Sequence, residues 1–204
     1  AIAAATPPRA ALGLPDKGFV FCCFNNHYKI TPAVFGIWMR LLQQVAGSVL
    51  WLLEPPAAAV ANLRAAAQKA GIAPERLVFA RRMAVEEHLA RQRQADLFLD
   101  TFYYNAHTTA SDALWAGLPV VTCLGEAFAG RVAASLLTAA GLPELVTDTP
   151  AAYEALALKL AREPAALAAL REKLLENRDT CALFDTAQYA RDLEKAFRGM
   201  LAGL

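Results

Sequence analysis

Six short apolar runs recur along the chain, at residues 19–24, 48–53, 77–79, 97–100, 119–122 and 144–146, and the stretches between them carry helical spacing. No other feature constrains the fold as strongly. A strand inside a parallel sheet is buried on both faces and so reads as an unbroken apolar run, and each return to the same end of the sheet needs a crossover, usually a helix. The alternation predicts an α/β fold, a Rossmann-like parallel sheet with helices on both faces. Local signals mark several helix ends. Thr31-Pro32 reads as an N-cap followed by proline at the first helical position, and Gly71 closes an alanine-rich helix that begins near Ala57. After Thr149-Pro150 the remainder reads as helix only.

The same pattern divides the chain. Residues 1–17 hold Pro7, Pro8 and Pro15 with no apolar period and read as a linker. Residues 18–183 carry the strand and helix alternation. Residues 184–204 read as an amphipathic helix with Tyr189, Leu193, Phe197 and Leu201 on one face, which must dock either on this sheet or on another lobe.

Charge and cysteine usage exclude several classes of partner. Lys and Arg number 20 against 19 Asp and Glu, so no net field draws the chain to nucleic acid or to an anionic membrane, and an anionic ligand must be met by a local site. The apolar runs are all much shorter than the roughly 20 residues of a membrane span, and the alanine-rich start has no basic segment before it, so neither an anchor nor a signal peptide is expected. Cys22 and Cys23 point to opposite faces of a strand and cannot chelate one metal; with Cys123 and Cys181 they read as buried free thiols of a cytoplasmic protein. His27, His88 and His107 show no zinc spacing, and no metal or cofactor is expected. Neither a glycine-rich dinucleotide fingerprint nor a Walker-type sequence is present.

Three loops carry candidate chemistry. In the first, His107-Thr108-Thr109 sits where a polar loop enters a helix after the fourth run, so an imidazole, hydroxyls and unpaired N–H groups gather at a positive helix end. That is a phosphate site by construction, at the end of the sheet where such folds bind ligands. The competing reading is that Thr108 or Thr109 only caps the helix and His107 fills a gap. Asp112 falls on the same helical face as Thr108, as a carboxylate of the first turn that serves either the dipole or a ligand. In the second loop, Asn26 and Lys29 follow the first strand, Lys29 as a point charge for phosphate or as an ordinary solvated lysine. In the third, Met83 precedes a helix that carries His88 and Arg91, with Glu86 and Glu87 at its solvated start; His88 is placed to stack on a base and Met83 to offer backbone groups to its edge.

These stretches, in this order, resemble the C-terminal catalytic lobe of the O-GlcNAc transferase family, which includes the SPINDLY-type protein O-fucosyltransferases. The resemblance runs from about Gly18 to Leu201. It is strongest at Phe24-Asn25-Asn26-His27-Tyr28-Lys29-Ile30, at residues 48–53, at His107-Thr108-Thr109 with Asp112 and Leu114-Trp115-Ala116-Gly117, and at Arg131-Val132-Ala133-Ala134-Ser135. It implies one lobe of a two-lobed GT-B glycosyltransferase that binds UDP-GlcNAc and, with a preceding N-terminal lobe and tetratricopeptide repeats, transfers the sugar to Ser or Thr of acceptor proteins with inversion, without metal, releasing UDP. By the same resemblance Lys29 is the pyrophosphate cation, Asn26 a donor-contact amide, and His107, Thr108 and Thr109 the phosphate cradle. His88 stacks on uracil, Met83 meets the base through its backbone, Arg91 is a supporting cation and Asp112 a donor-side carboxylate. Val85 departs from the pattern, standing where animal members carry a lysine directed at the ribose, which leaves the donor open between UDP-GlcNAc and GDP-fucose. An Asn acceptor, and a non-catalytic nucleotide-binding or interaction module, are the other readings.

Overall fold

The computed structural model describes residues 1–202. Its centre is a six-stranded, wholly parallel sheet in the order β3-β2-β1-β4-β5-β6. The strands are β1 (Val20–Cys23), β2 (Val49–Leu53), β3 (Leu77–Ala80), β4 (Leu97–Leu99), β5 (Val120–Cys123) and β6 (Val146–Thr147). Each apolar run supplies one strand. The last is displaced: Pro143–Leu145 forms a 3-10 turn, since proline has no N–H for the ladder, and pairing begins only at Val146.

All four residues of β1 and of β5 are buried, and because neighbours point to opposite faces the sheet is covered on both sides. The covering helices are α1 (Pro32–Gln44), α2 (Ala57–Lys69), α3 (Val85–Arg91), α4 (Thr108–Trp115), α5 (Val132–Ala139), α6 (Pro150–Arg162) and α7 (Pro164–Arg178), followed by α8 (Thr186–Ala202). Thr31 and Thr149 cap α1 and α6, their side chains accepting from Val34 N and Ala152 N, each with proline in the first turn. Gly71, at φ 77°, follows α2 in the left-handed conformation that glycine adopts without strain. Pro164 separates α6 from α7 within the all-helical remainder.

Two features of the packing govern the site. Sequence order runs outward from the centre in both directions, β1 to β3 one way and β4 to β6 the other, so the order reverses between β1 and β4; there the loops that leave the carboxyl ends of the strands diverge and open a crevice. The loop after β4 is also anchored from behind. Trp38 of α1 donates to the Tyr153 hydroxyl of α6 at 3.1 Å, and that hydroxyl donates to the Asp100 carbonyl at 3.0 Å, all three side chains being buried.

Residues 1–17 are laid along the lobe. Arg9 donates to Gly18 O and pairs with Asp96 at 2.9 Å, Gln94 donates to Pro7 O, and Leu14 joins the core. Cys22, Cys23 and Cys123 are buried free thiols, whereas Cys181 is only partly covered. The stripe on α8 is not covered by the described residues: Tyr189 is 67% exposed and Phe197 55%. No helix among the described residues is long and apolar enough to cross a membrane.

Candidate functional site at the sheet reversal

Because Phe21 pairs with Leu97 and Cys22 with Phe98, β1 and β4 deliver their next residues side by side. The floor of the crevice is built there from Asn25 and Asp100, both buried. Asp100 Oδ1 accepts from Thr101 N at 2.7 Å, Ala106 N at 2.6 Å and Asn25 Nδ2 at 3.2 Å, while Oδ2 accepts from the Thr122 hydroxyl at 2.7 Å. Two of these donors lie at the ends of the 101–106 segment, so one carboxylate closes the loop into a ring. Burial pushes the Asp100 carboxyl up to about 6 against the pull of the same four donors. Asn25 carries the connection upward: its amide donates to Thr101 Oγ1 at 2.8 Å, and its carbonyl accepts from the Thr109 hydroxyl in the first turn of α4.

Lys29 stands above this floor. It ends the 3-10 turn His27–Lys29, and its Nζ donates to Asn105 O at 2.8 Å while lying 3.6 Å from the centre of the Tyr104 ring. The ammonium is half-buried; burial lowers its pKa below the usual lysine value, opposed by the Asp100 charge. Thr108 and Thr109 open α4, and their N–H groups are among those a helix cannot satisfy internally. The N-cap is His107, with no side-chain capping bond, so neither threonine serves as a cap. The Thr109 hydroxyl is spent on Asn25. His107 is flanked by the rings of Tyr104 at 5.2 Å and Phe128 at 6.3 Å. Asp112 corrects the sequence reading: α4 starts at Thr108, so this half-buried carboxylate falls in the second turn and no acid occupies the first. Burial raises its pKa.

On the β3 side, Arg91 is 1% exposed and has no carboxylate partner among the described residues. It donates to the Arg81 carbonyl at 2.6 Å and, through Nε, to His88 Nδ1 at 3.0 Å, with its guanidinium over the Phe24 and Trp51 rings. His88 also packs edge-on against Phe24, with ring centres 5.0 Å apart. Since Nδ1 accepts, the imidazole is neutral and carries its proton on Nε2. Burial, and then Arg91, lower its pKa to about 4. A native pKa below the ordinary 6.5 means that the unfolded chain binds the extra proton, so His88 adds stability at neutral pH that is lost as pH falls from about 6.5 through 4. A two-dimensional NMR titration is expected to show His88 as the Nε2–H tautomer down to about pH 4, and Arg91→Met to move its midpoint back toward 6.5. A midpoint unmoved by that substitution would sink the assignment. Met83 and Val85, at 36% and 64% exposure, border this side, and Arg82 reaches Asn26 Oδ1 only at 3.5 Å. Asn25, Asn26, Leu53, Glu54 and Arg82 line a cleft of about 330 Å³ where the chain leaves β1, β2 and β3.

Lys29, His107, Thr108 and Thr109 are thus drawn to one crevice, with Asn26 at its rim and His88, Arg91 and Met83 along the β3 side. Among the described residues, Asp112 makes no side-chain hydrogen bond or ion pair with any of them. Asn25, Asp100, Thr101, Tyr104 and Asn105 escaped the sequence reading. One signal was available: β1 and β4 each end an apolar run in a polar residue, Asn25 and Asp100, and adjacent strands bring those ends together.

The glycosyl transferase family 41 model matches residues 3–193. The chain belongs to glycosyltransferase family 41. Within the family it is 42% identical over 186 residues to a UDP-N-acetylglucosamine–peptide N-acetylglucosaminyltransferase of Caenorhabditis elegans, covering 91% of this chain and 16% of that protein. It superposes on a solved mutant O-GlcNAc transferase of Thermobaculum terrenum with a TM-score of 0.85 at 36% identity, covering 90% of this chain and 36% of the other. A glycosyltransferase of lipopolysaccharide biosynthesis matches in fold, with a TM-score of 0.66 at 19% identity, over 91% of this chain and 49% of its own. The family 41 chain therefore has the sheet and helices of a GT-B lobe and spans less than a fifth of the length of its nematode relative.

Proposed function

We propose that this family 41 chain is the donor-binding half of a protein O-GlcNAc transferase, holding UDP-GlcNAc across the reversal between β1 and β4. The observation that carries the reading is the half-buried Lys29 ammonium held on the Asn105 carbonyl, in the loop that leads into the first turn of α4, so that a diphosphate there meets a point charge and free N–H groups together. The reading gives Asn26 and Asp112 to the donor, Thr108, Thr109 and His107 to the phosphates, and His88 and the Met83 backbone to the base. Arg91 acts through His88, whose tautomer and plane it sets. In transfer, a Ser or Thr hydroxyl oxygen of the acceptor protein bonds to the anomeric carbon from the face opposite UDP, the hydroxyl proton passes to a base of the complementary lobe or to water, and the bond to UDP breaks with its electron pair on phosphate. Inversion follows from that line of attack. Lys29 and the α4 N-terminus stabilise the charge as it develops, without a metal ion. A complementary N-terminal lobe with tetratricopeptide repeats supplies the acceptor groove, and the three buried free thiols suit the reducing cytoplasm.

Val85 bears on donor choice, because its exposed apolar side chain in the first turn of α3 offers a ribose no charge. Calorimetric titration of the full chain with UDP and with GDP tests the reading. UDP is expected to bind at least about tenfold more tightly, a difference of about 1.4 kcal/mol. Absence of UDP binding refutes the donor site, and preference for GDP transfers it to a fucose donor.

A further inference from the structure

The loop after β4 spends unusual conformations on one side chain. Tyr103 adopts φ 67°, the one non-glycine residue with a left-handed backbone among the described residues, a conformation strained for an aromatic residue and characteristic of functional loops. Its own ring is turned out to solvent at 74% exposure, while the next ring, Tyr104, is seated on the Lys29 ammonium. Thr101 Oγ1 fixes this arrangement by donating to the Tyr104 carbonyl at 2.8 Å. Tyr104 nevertheless stays 42% exposed, and it stands in a row of rings, 6.4 Å from Tyr28 and 5.2 Å from His107, with Phe128 beyond. None of this is needed to pack the core.

We propose that Tyr104 is the specificity-determining residue for the donor sugar, the aromatic wall on which the apolar C–H face of the pyranose rests. This rests on reading the crevice as a nucleoside diphosphate sugar site. Strand order gives the direction: His88 follows β3, Lys29 follows β1, Tyr104 follows β4 and Phe128 follows β5. A donor with its base at His88 and its diphosphate at Lys29 must run on toward Tyr104. The group bonded to the second phosphate is the sugar. One N–H of Lys29 is held by Asn105 O and another is aimed at the Tyr104 ring, which leaves the third for phosphate and fixes the side on which the diphosphate, and hence the sugar, lies. Pyranose rings present patches of C–H that pack on aromatic faces, and the open side of Tyr104 is free to receive one.

The test compares UDP with UDP-GlcNAc by calorimetry on the full chain and its Tyr104→Leu and Tyr104→Phe variants. Leucine keeps bulk at an exposed position and removes the ring; phenylalanine keeps the ring. Tyr104→Leu is expected to weaken UDP-GlcNAc about fivefold to tenfold more than it weakens UDP, and Tyr104→Phe to keep the parental ratio. Equal weakening of both ligands by the leucine variant would show that the ring acts only through Lys29 and overturn the inference, as would an unchanged ratio or a phenylalanine variant that behaves like leucine. A parental chain that binds neither ligand fails at the donor site itself, a result separate from these.

Discussion

On the proposed donor-site reading, replacing Lys29 with alanine in the enzyme complete with its complementary lobe will lower sugar transfer by about 100-fold or more, while shifting stability by no more than about 1 kcal/mol. The asymmetry follows from where the ammonium stands. In the folded chain it makes one hydrogen bond to Asn105 O and one contact with the Tyr104 ring, and both can be replaced by water at this half-exposed rim. On the proposed reading it faces the leaving phosphate in transfer, whereas Arg82, the other cation at the cleft, reaches only Asn26 Oδ1 at the rim. Arginine will restore little, since a planar fork cannot occupy the slot between a carbonyl and a ring face that a compact ammonium fills. Steady-state transfer to an acceptor protein, beside a thermal melt, checks both halves; turnover within about threefold of the parent would remove Lys29 from the chemistry. The burial that lowers its pKa has a further consequence. Since the proposed role needs the protonated amine, the alkaline fall in activity is expected to set in below pH 10.5.

Asp100→Ala will be the most damaging single change to the fold around the site, destabilising by about 3–5 kcal/mol. It strands the donors of Asn25, Thr101, Ala106 and Thr122 in a region without water access. Asp100→Asn is expected to cost only about 1–2 kcal/mol, because the amide oxygen keeps the three donors on Oδ1 and the Thr122 hydroxyl can turn to accept from the new N–H group. The pair also separates charge from shape. A native carboxyl raised from 3.8 to about 6 binds a proton that the unfolded chain has lost, so Asp100 makes stability fall as pH climbs through that window. His88 acts in the opposite direction between about 4 and 6.5. Asp100→Asn deletes the falling contribution, and denaturant melts at pH 4.5 and 6.5 should then show stability rising with pH more steeply than in the parent. Identical pH profiles would mean that Asp100 does not titrate there.

What the sequence disclosed and withheld has a physical pattern. Val20–Cys23 and Val120–Cys123 announced themselves because strands buried on both faces admit no polar residue until they end. Val146–Thr147 was misplaced because two paired residues at a sheet edge leave almost no apolar signature, while Leu145 beside Val146 extends the run the wrong way. Of the site, Lys29 and His107-Thr108-Thr109 were legible as a charge and a helix start after strands. Asp100 was visible only as the end of a run. Its meaning depends on Asn25 and Thr122, which only the sheet order brings to it, and no spacing along the chain encodes that. Tyr104 was hidden for another reason: a tyrosine in a polar loop has no distinguishing neighbour until Lys29, from a different loop, arrives beneath it.

The reversal of strand order also fixes when the crevice can come into being as the chain folds. β1, β2 and β3 join through crossovers local in sequence, but the bonds that tie the loop after β1 to the loop and helix after β4, Asn25 to Asp100, Lys29 to Asn105 and Thr109 to Asn25, span 75 to 84 residues. Closing loops of that length is the slow part of folding a parallel sheet. The first half of the lobe can therefore assemble without a site, and competence to hold a ligand appears only when β4 docks against β1. Ligand affinity then serves as a timer: in a refolding experiment it should emerge with the last long-range pairing, later than the bulk of the helical signal.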